Sequence, residues 1–591
     1  LWGYTVAVGA EASVVRAALM FTVVALAPAL HRRAGSLNAL GGACLALLVW
    51  RPADLFEPSF QLTFLSVLAI IALAWPLLTR LREVGNWRPT HETPQPPACA
   101  RWWRLLGETL YWSEREWQLE MEHSPWRCRL FKTKLASRLE RLHVQRLLRY
   151  VLSVVIVSVS VQVTLLPLLV LYFHRLSLAS ILLNVIVGVL MAWLSFFALA
   201  AMLVAQLAQS LAAPLVAVAE ALSWLMIHSV DPFARLHLAS LRLPEYAGRA
   251  ALIYGIYFLT LICLMLALAR WRPLKPLRAS HAMTKAAALV FVAVLCLIVA
   301  HPLSEGRPDG RLRVDFLDVG QGDAALLTLP DGTTLLIDGG GRPRFADSRR
   351  ETDEGEAVAA FERDARSIGE AVVSEYLWWR GLSRVDYLVA THADADHMDG
   401  LNDVAHNFCV RAALVAREPQ ADAEYARFAA TMQEEHVPVQ VIRRGDSLRF
   451  GAVTIDVLWP LEGTDANAPS RNNDSLVLRV KYGERVFLLT GDIEEQAEAS
   501  LTRSPTELRA DVVKVAHHGS KTSSSEAFIA AARPQLAVIS VGLASPYGHP
   551  NANVVERWRA SGAEVLTTGE RGTISVSTDG KDLRIETFIK N

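Results

Sequence analysis

The residues best suited to chemistry occupy one short segment, 391–397, which follows the apolar run 387–390. The segment reads T-H-A-D-A-D-H and places two histidines and two carboxylates within six positions: His392, Asp394, Asp396 and His397. Imidazole and carboxylate groups suit borderline and hard divalent ions. Packed together without a cation, four such groups would repel one another or stay unpaired. The segment therefore predicts a metal site at the end of a strand.

Two later segments repeat the pattern of an apolar strand followed by ligand-type residues. Residues 486–492 end in Asp492, and residues 512–520 contain the pair His517-His518. Alone, each is ambiguous, because Gly-Asp is often only a turn and paired histidines can belong to an ordinary loop. Together with the first segment they predict one site, in which Asp492 bridges two ions with its two oxygens and His517 completes the ligand set.

Four further predictions concern residues around this site. Asp338, at the end of a strand, is interpreted as a buried organiser of the metal loop rather than a ligand. Asp396 is expected to act as a ligand or to orient the attacking water. Ser520 and Lys521 are expected to hold a phosphate oxygen, with an ordinary surface loop as the alternative. His549 is expected to be a proton donor or substrate contact, with a turn histidine as the alternative.

The elements that must position these residues begin near residue 311, where short β-rich runs appear. Asp331-Gly332 between two apolar runs predicts a hairpin. Asp318 and Asp323 are interpreted as structural. Helical stretches are expected between the strands, near 368–380, 421–433, 494–502, 525–532 and 551–560. Strands with intervening helices fit a sandwich of two sheets covered by helices.

The rest of the chain has a different composition. Over 591 residues, 52% hydrophobic and 20% charged residues with mean hydropathy +0.26 exclude a disordered chain, a coiled coil and a small disulfide scaffold. Formal net charge is +0, which argues neither for nor against a nucleic-acid partner. About eight segments approach the roughly 20 apolar residues that a membrane helix needs. Their expected spans are 14–30, 37–50, 60–78, 150–172, 178–206, 211–229, 251–269 and 284–300. We therefore expect a transmembrane domain at 1–303 and a soluble domain at 304–591.

Basic residues predict the orientation of these helices. Loops 79–149 and 270–285 are rich in Lys and Arg and should be cytoplasmic. Helix 284–300 then runs outward and places the soluble domain on the extracytoplasmic face. Glu220 is a channel candidate because ionisable groups inside membranes usually face an aqueous path, with a position near an interface as the alternative. Residues 94–98 and the tryptophans after them predict an amphipathic stretch on the membrane surface or a solvated linker helix.

The motifs resemble two known protein families. The set of Asp338, the 392–397 motif, Asp492 and His517 is similar to the metal motifs of the metallo-β-lactamase superfamily, which has an αββα fold. The soluble half also resembles the carboxy-terminal domain of ComEC/Rec2 competence proteins at 314–324, 335–340 and 517–520. The membrane half resembles the same family at 59–67 and 172–177. The resemblance covers most of the chain except the insert near 80–149 and part of 341–366. It implies a polytopic α-helical membrane bundle followed by an αββα domain.

The resemblance also implies a function. It implies an inner-membrane DNA-uptake channel that translocates single-stranded DNA during natural transformation, with a nuclease domain that degrades the non-transported strand of the arriving duplex. It implies a divalent metal cofactor, two ions of Mn or Zn, and a missing amino-terminal part before Leu1. A DNA receptor is a further expected partner. So is a separate ATPase, because the sequence contains no Gly-x-x-x-x-Gly-Lys-Ser/Thr phosphate loop.

Three departures from the family pattern leave alternatives open. Asp394 replaces the usual second histidine and leaves zinc or manganese open. Asp399-Gly400 stands where Gly-Gly is frequent, and residues 472–475 (N-N-D-S) stand where a third-motif histidine would lie. One metal position is therefore expected to be weakly held. The alternatives are a channel with a non-catalytic DNA-binding domain and a membrane-tethered hydrolase of another substrate.

Overall fold

The computed structural model describes most of the chain in two compact units. Unit 1 comprises Leu1–Leu243 and Gly248–Pro302, and unit 2 comprises Pro244–Ala247 and Leu303–Asn591. The described residues are 2–7, 9, 12–26, 35–87, 99–113, 118, 134–234, 239–274, 278–302, 309–341, 367–419, 421–461, 471–503 and 508–590. Residues 94–98, Trp117 and much of the basic insert lie outside them, so the predicted surface stretch is described only in part.

Unit 1 is built from helices. In chain order they are α1 (Trp2–Ala7), α2 (Ala12–Leu26), α3 (Ser36–Trp50), α4 (Pro58–Ala69), α5 (Trp75–Gly85), α6 (Arg101–Tyr111), α7 (Lys134–Arg141), α8 (Gln145–Phe173), α9 (Ala179–Ala205), α10 (Gln209–His228), α11 (Asp231–Ala234), α12 (Leu252–Arg270) and α13 (Arg278–Ala300). A π-helical turn, Ile70–Ala74, joins α4 to α5. Two short strands, β1 (Arg175–Ser177) and β2 (Ser240–Arg242), pair antiparallel.

Six helical segments of the described chain are long and apolar enough to cross a membrane. They are Pro58–Gly85, Gln145–Phe173, Ala179–Ala205, Gln209–Phe233, Gly248–Arg270 and His281–Ala300. The sequence predicted about eight. The two remaining predicted spans fall on α2 and α3, which have 15 residues each, whereas a span needs roughly 20.

Polar side chains between these helices bond to one another and to the backbone. Asn184 Nδ2 donates to Ser158 Oγ at 3.1 Å, and Gln162 Nε2 donates to the Ser177 carbonyl at 2.7 Å. The Tyr257 hydroxyl donates to the Val163 carbonyl. Such bonds hold membrane helices together. Glu220, the channel candidate, is exposed on α10.

Unit 2 contains two sheets. Its strands are β3 (Leu312–Phe316), β4 (Ala325–Thr328), β5 (Thr334–Ile337), β6 (Arg384–Ala390), β7 (Cys409–Val415), β8 (Val439–Val441), β9 (Ser447–Phe450), β10 (Val453–Trp459), β11 (Val477–Tyr482), β12 (Arg485–Leu489), β13 (Val512–Lys514), β14 (Leu536–Ile539), β15 (Glu564–Thr567), β16 (Ile574–Thr578) and β17 (Leu583–Thr587). One sheet has the order β17-β16-β3-β4-β5-β6-β7-β8, and the other has β15-β14-β13-β12-β11-β10-β9. The predicted hairpin at Asp331-Gly332 joins the antiparallel strands β4 and β5.

Helices cover the outer faces of the sheets. They are α14 (Glu375–Trp379), α15 (Ala395–Asn407), α16 (Ala423–Glu434), α17 (Glu495–Arg503), α18 (Glu526–Ala532), α19 (Ala552–Ala560) and α20 (Thr568–Arg571). Along β12, Phe487 joins the layer between the sheets, and Leu488 packs towards Leu501 and Trp558 on the helical side. This alternation follows from the two-residue period of a strand. Burying each such side chain stabilises the fold by about 1.5–3 kcal/mol. The predicted αββα sandwich is confirmed.

The strand directions explain where the chemistry lies. Strands β5, β6 and β7 are mutually parallel, as are β12, β13 and β14. The carboxyl ends of parallel strands meet at one edge of a sheet. The ligand-type segments follow β6 in one sheet and β12 and β13 in the other, and the contacts of His397 and His518 with Asp492 bring the two sets together.

Candidate metal centre

The first ligand segment is fixed by close contact between two loops. Asp394 is the N-cap of α15, and Gly339 N donates to the His397 carbonyl at 2.7 Å. Gly400 N donates to the Gly340 carbonyl at 2.9 Å. A Cβ on Gly400 would lie 2.0 Å from the Gly339 carbonyl oxygen, so only glycine fits there. The Asp399-Gly400 departure from Gly-Gly therefore leaves the close approach of the loops intact.

In three buried histidines, the Nδ1 atom lies against a neighbouring oxygen. His397 Nδ1 donates to Asp338 Oδ2 at 2.8 Å, and His518 Nδ1 donates to the Ser540 carbonyl at 2.9 Å. His392 Nδ1 lies 3.1 Å from Thr391 Oγ1. In all three, Nε2 is buried and has no hydrogen-bond partner among the described residues. A bond at Nδ1 that leaves Nε2 as a lone-pair donor is the usual arrangement of metal-binding histidines.

Carboxylates face these nitrogens. Asp492 Oδ2 lies 3.2 Å from His397 Nε2 and 3.3 Å from His518 Nε2. Asp396 Oδ2 lies 3.4 Å from His518 Nε2, and Asp394 Oδ2 lies 3.4 Å from His392 Nε2. Three unpartnered imidazole nitrogens beside carboxylate oxygens fit a divalent cation, and these six side chains are the ones that would hold it.

Lys514 and Asp323 complete the buried charges. Lys514 Nζ contacts Asp323 Oδ2 and donates to the Gly491 carbonyl at 3.0 Å. It also lies 3.4 Å from Asp492 Oδ1. Asp492 therefore turns Oδ1 towards the lysine and Oδ2 towards the histidines, and its bridging of two ions through both oxygens stays a prediction. Ligand atoms of Asp323, His397, Asp492 and His518 all lie within 4.8 Å of one another.

The two adjacent histidines have different surroundings. His518 points Nε2 into the cluster. His517 Nδ1 lies 3.2 Å from Thr522 Oγ1, and its Nε2 lies 3.4 Å from Asn472 Nδ2. His517 thus lies beside the cluster, next to the segment that replaces the third-motif histidine, and its role as a ligand stays a prediction.

The loop that carries this pair is strained. His517 and His518 have φ of 51° and 52°, in the left-handed region that residues with a Cβ rarely adopt. Each costs on the order of 1–3 kcal/mol, which the surrounding structure must offset. Such strain is concentrated at functional sites. The two rings lie 6.3 Å apart with their planes at 68° to each other, and the sequence pattern alone did not reveal this backbone conformation.

Asp338 joins two of the three histidines. Its Oδ2 accepts from the His397 ring and from Thr391 Oγ1 at 2.8 Å, and Thr391 Oγ1 in turn lies against the His392 ring. Its Oδ1 accepts from Thr391 N at 2.8 Å. Asp338 is thereby positioned to orient the rings of His392 and His397.

The electrostatics of the cluster favour positive charge. Burial opposes protonation of His397, but Asp492 and Asp338 raise its pKa well above its usual value. Burial likewise opposes protonation of His518, whose pKa Asp492 and Asp323 raise. Burial would raise the pKa of Asp492, yet His397, His518 and Lys514 hold it well below its usual range. A bound cation would take the place of the protons that these histidines otherwise attract.

The remaining predicted residues lie around the cluster. Ser520 is buried, and its hydroxyl lies 3.1 Å from Thr522 Oγ1, while Lys521 is exposed. The His549 ring centre lies 6.0 Å from that of His517. Burial lowers the pKa of His549, and the neighbouring His518 and His517 lower it further.

Sequence reasoning missed two members of the cluster and interpreted a third differently. His518 was passed over in favour of His517, and Lys514 had no predicted role. Asp323 was interpreted as structural. The available signal was a charged lysine inside the apolar strand β13, which needs buried carboxylate partners. The basic residues Arg342, Arg344, Arg349 and Arg350 lie outside the described residues.

The fold and the centre together define a metallo-β-lactamase superfamily domain joined to a unit of membrane-spanning helices. The family described as "Metallo-beta-lactamase superfamily" matches residues 317–542, and the family described as "Competence protein" matches residues 1–107 and 109–270. The chain thus combines a competence-protein domain with a metallo-β-lactamase superfamily domain. Its six apolar helices and competence domain indicate a multi-pass membrane protein.

Three curated relatives are similar to this chain. ComE operon protein 3 of Bacillus subtilis is 26% identical over 97% of this chain and 62% of its own length. Competence protein ComA of Neisseria gonorrhoeae is 29% identical over 46% of this chain and 33% of its own length. Recombination protein 2 of Haemophilus influenzae is 27% identical over 45% of this chain and 29% of its own length. The chain therefore spans less than two thirds of the length of each.

Solved structures with the same fold have low overall similarity. The metallo-β-lactamase fold protein YhfI from Bacillus subtilis is 11% identical with a TM-score of 0.30, covering 45% of this chain and 100% of its own. Zn(2+)-bound PqqB from Methylobacterium extorquens is 11% identical with a TM-score of 0.24, covering 44% of this chain and 99% of its own. The fold assignment comes from the sheet order and the family match.

Proposed function

We propose that this chain forms an inner-membrane channel that takes up DNA during natural transformation. The helical unit carries one strand inward, and the metallo-β-lactamase unit hydrolyses phosphodiester bonds of the strand left outside. The competence-protein domain supports the transport role. The observation that carries the hydrolytic role is the meeting of two unpartnered Nε2 atoms, from His397 and His518, at the Asp492 carboxylate, with His392 Nε2 facing Asp394 Oδ2 at 3.4 Å.

The residues of the centre have separable roles in this hydrolysis. Divalent ions held by the six ligand-type side chains would activate water and stabilise the charge that develops on the phosphate. Asp396 is only 20% exposed and faces His518, so it can orient the attacking water. Asp338 fixes two imidazole rings. His549, half-buried beside His517, is suited to protonate the leaving oxygen.

Cleavage of labelled single- and double-stranded DNA by the full chain in detergent, with added manganese or zinc, tests the hydrolytic role. We expect His392→Ala and Asp492→Asn to abolish cleavage. His406→Ala is the matched control, because His406 also lies on the segment after β6 but is 45% exposed and pairs with Glu435. Wild-type protein that binds metal and does not cleave either DNA would contradict this role.

The second candidate function is a channel whose lactamase-like unit binds DNA without cutting it. Asn472 beside His517 and the 45% exposure of the Asp394 side chain favour it, because both weaken one side of the ligand set. Metal content separates the two. Less than one ion per chain after reconstitution favours binding alone.

We also propose that the lactamase-like unit lies outside the cytoplasmic membrane. The support is the basic character of loops 79–149 and 270–285, which the positive-inside rule places in the cytoplasm. Cys409 is an exposed free thiol of unit 2. In a variant that keeps Cys409 as its single cysteine, a membrane-impermeant maleimide should label spheroplasts without lysis. Labelling only after lysis would place the unit inside.

Glu220 is proposed to line the path of the DNA. It is a carboxylate on a mostly apolar helix. Among the described residues, it forms no ion pair. Glu220→Leu should reduce transformation while membrane insertion stays normal. Glu220→Gln, which keeps the shape, is the matched variant. Unchanged uptake by both variants would remove Glu220 from the path.

A further inference from the structure

The loop that carries Tyr547 and His549 is fixed against the metal centre on two sides. Ser545 Oγ donates to Gln321 Oε1 at 2.8 Å, and Gly548 N donates to the Ser545 carbonyl at 3.2 Å. After the loop, Asn551 N donates to the Gly519 carbonyl at 2.9 Å, which joins it to the loop of the paired histidines. The position of its side chains relative to the cluster is therefore set by the fold.

Two aromatic rings of this loop, Tyr547 and His549, lie in a row that leads to His517 beside the cluster. The Tyr547 ring stacks on His549 with centres 6.0 Å apart and an angle of 23°, and His549 in turn lies 6.0 Å from His517. Gly548 between them has φ of +70° and open space at its α-carbon, which allows the sharp turn that brings the rings side by side. Tyr547 is 47% exposed, so part of its ring faces solvent.

We propose that Tyr547 is a stacking platform for an unpaired nucleobase next to the phosphate that is cleaved. The proposal rests on the proposed phosphodiesterase function and adds the residue that contacts a base beside the cleaved bond. Every base presents a π-face, so an exposed aromatic ring binds bases with little sequence preference. Bases inside a duplex are already stacked on one another and cannot use the platform. A tyrosine that served only to pack the loop would be buried rather than half open.

The test uses two oligonucleotides with the full chain in detergent and added manganese. One is an ordinary single strand. The other has the same length and the same phosphodiester backbone, with an abasic sugar at every position. Tyr547→Leu should raise the KM for the ordinary strand roughly tenfold or more, in line with the loss of one base stack. Tyr547→Phe keeps the ring and should behave as wild type. Phe588→Leu is the control, because Phe588 is a 79% exposed ring elsewhere in unit 2.

The abasic strand separates stacking from a structural role. Wild type should bind it as weakly as Tyr547→Leu binds the ordinary strand, and Tyr547→Leu should lose nothing further. An unchanged KM for Tyr547→Leu, or an equal loss on both strands, would overturn the proposal. Fluorescence anisotropy with the same strands gives the same comparison from affinity alone. If wild type binds metal but cleaves neither strand, the hydrolytic function fails, and the anisotropy still decides whether Tyr547 contacts bases.

Discussion

Buried polar groups are arranged differently in the two units of this protein. In unit 1, Asn184 and Ser158 bond to each other across α8 and α9 at 3.1 Å. In unit 2, His392, His397 and His518 each bond through Nδ1, and their Nε2 atoms converge without a hydrogen-bond partner in the described part of the chain. The first arrangement is complete by itself, whereas the second needs a cation, because buried polar atoms are seldom left unpaired. Buried polar residues can therefore hold helices together or form a site. The two cases differ in whether polar atoms are left without a hydrogen-bond partner.

The largest effect should follow from removing the charge of the buried Lys514 side chain in unit 2. Lys514→Met would remove one counter-charge of Asp323 and Asp492, and breaking a buried pair costs about 3–5 kcal/mol. We expect a clear fall in the unfolding temperature of unit 2 by differential scanning calorimetry. The Asp323→Asn/Lys514→Met variant removes one charge of each sign and should recover part of the loss. An unfolding temperature equal to that of wild type in Lys514→Met would show that the centre does not depend on this lysine.

The next effect separates the paired histidines. His518→Ala should weaken metal binding far more than His517→Ala, because His518 points Nε2 into the cluster while His517 faces Asn472 and Thr522. Isothermal titration with zinc or manganese measures both. Equal losses would mean that both histidines are ligands, and a larger loss in His517→Ala would match the sequence prediction.

A smaller effect is expected at Asp338, which orients the rings without facing the cluster. Asp338→Asn should weaken metal binding by roughly 10–100-fold, the usual cost of losing a partner of a metal-binding histidine. The same titration measures it, and Asp386→Asn is the control because Asp386 makes similar bonds to Thr334 away from the centre. A change in Asp338→Asn no larger than that of the control would remove its orienting role.

The smallest effect should come from unit 1. Asn184→Leu removes the bond to Ser158, and interhelical hydrogen bonds in membranes average about 0.6 kcal/mol. Only a slight loss of thermal stability in detergent is expected, with DNA cleavage unchanged. A loss as large as that of Lys514→Met would mean that unit 1 also contains a buried site rather than simple interhelical bonds.

The sequence predicted the fold and the neighbourhood of the centre because both follow from local patterns. Continuous apolar runs predicted strands such as β6 and β12, and the ligand-type residues follow those strands directly. The choice between His517 and His518 was not predictable, since it depends on a left-handed backbone at both positions. The Lys514–Asp323 contact joins residues 191 positions apart and depends on the packing of one sheet on the other. Six of the predicted membrane spans coincide with long apolar helices of the described chain, and the other two fall on α2 and α3.

The Nε2 atoms of unit 2 are proposed to form a metal centre. Metal content of the purified full chain, measured by mass spectrometry after reconstitution with manganese or zinc, tests this proposal. We expect at least one ion per chain in the wild type and in His406→Ala, with loss of that ion in His392→Ala and His518→Ala. Wild-type protein that retains no ion, or ligand variants that retain as much as wild type, would contradict it.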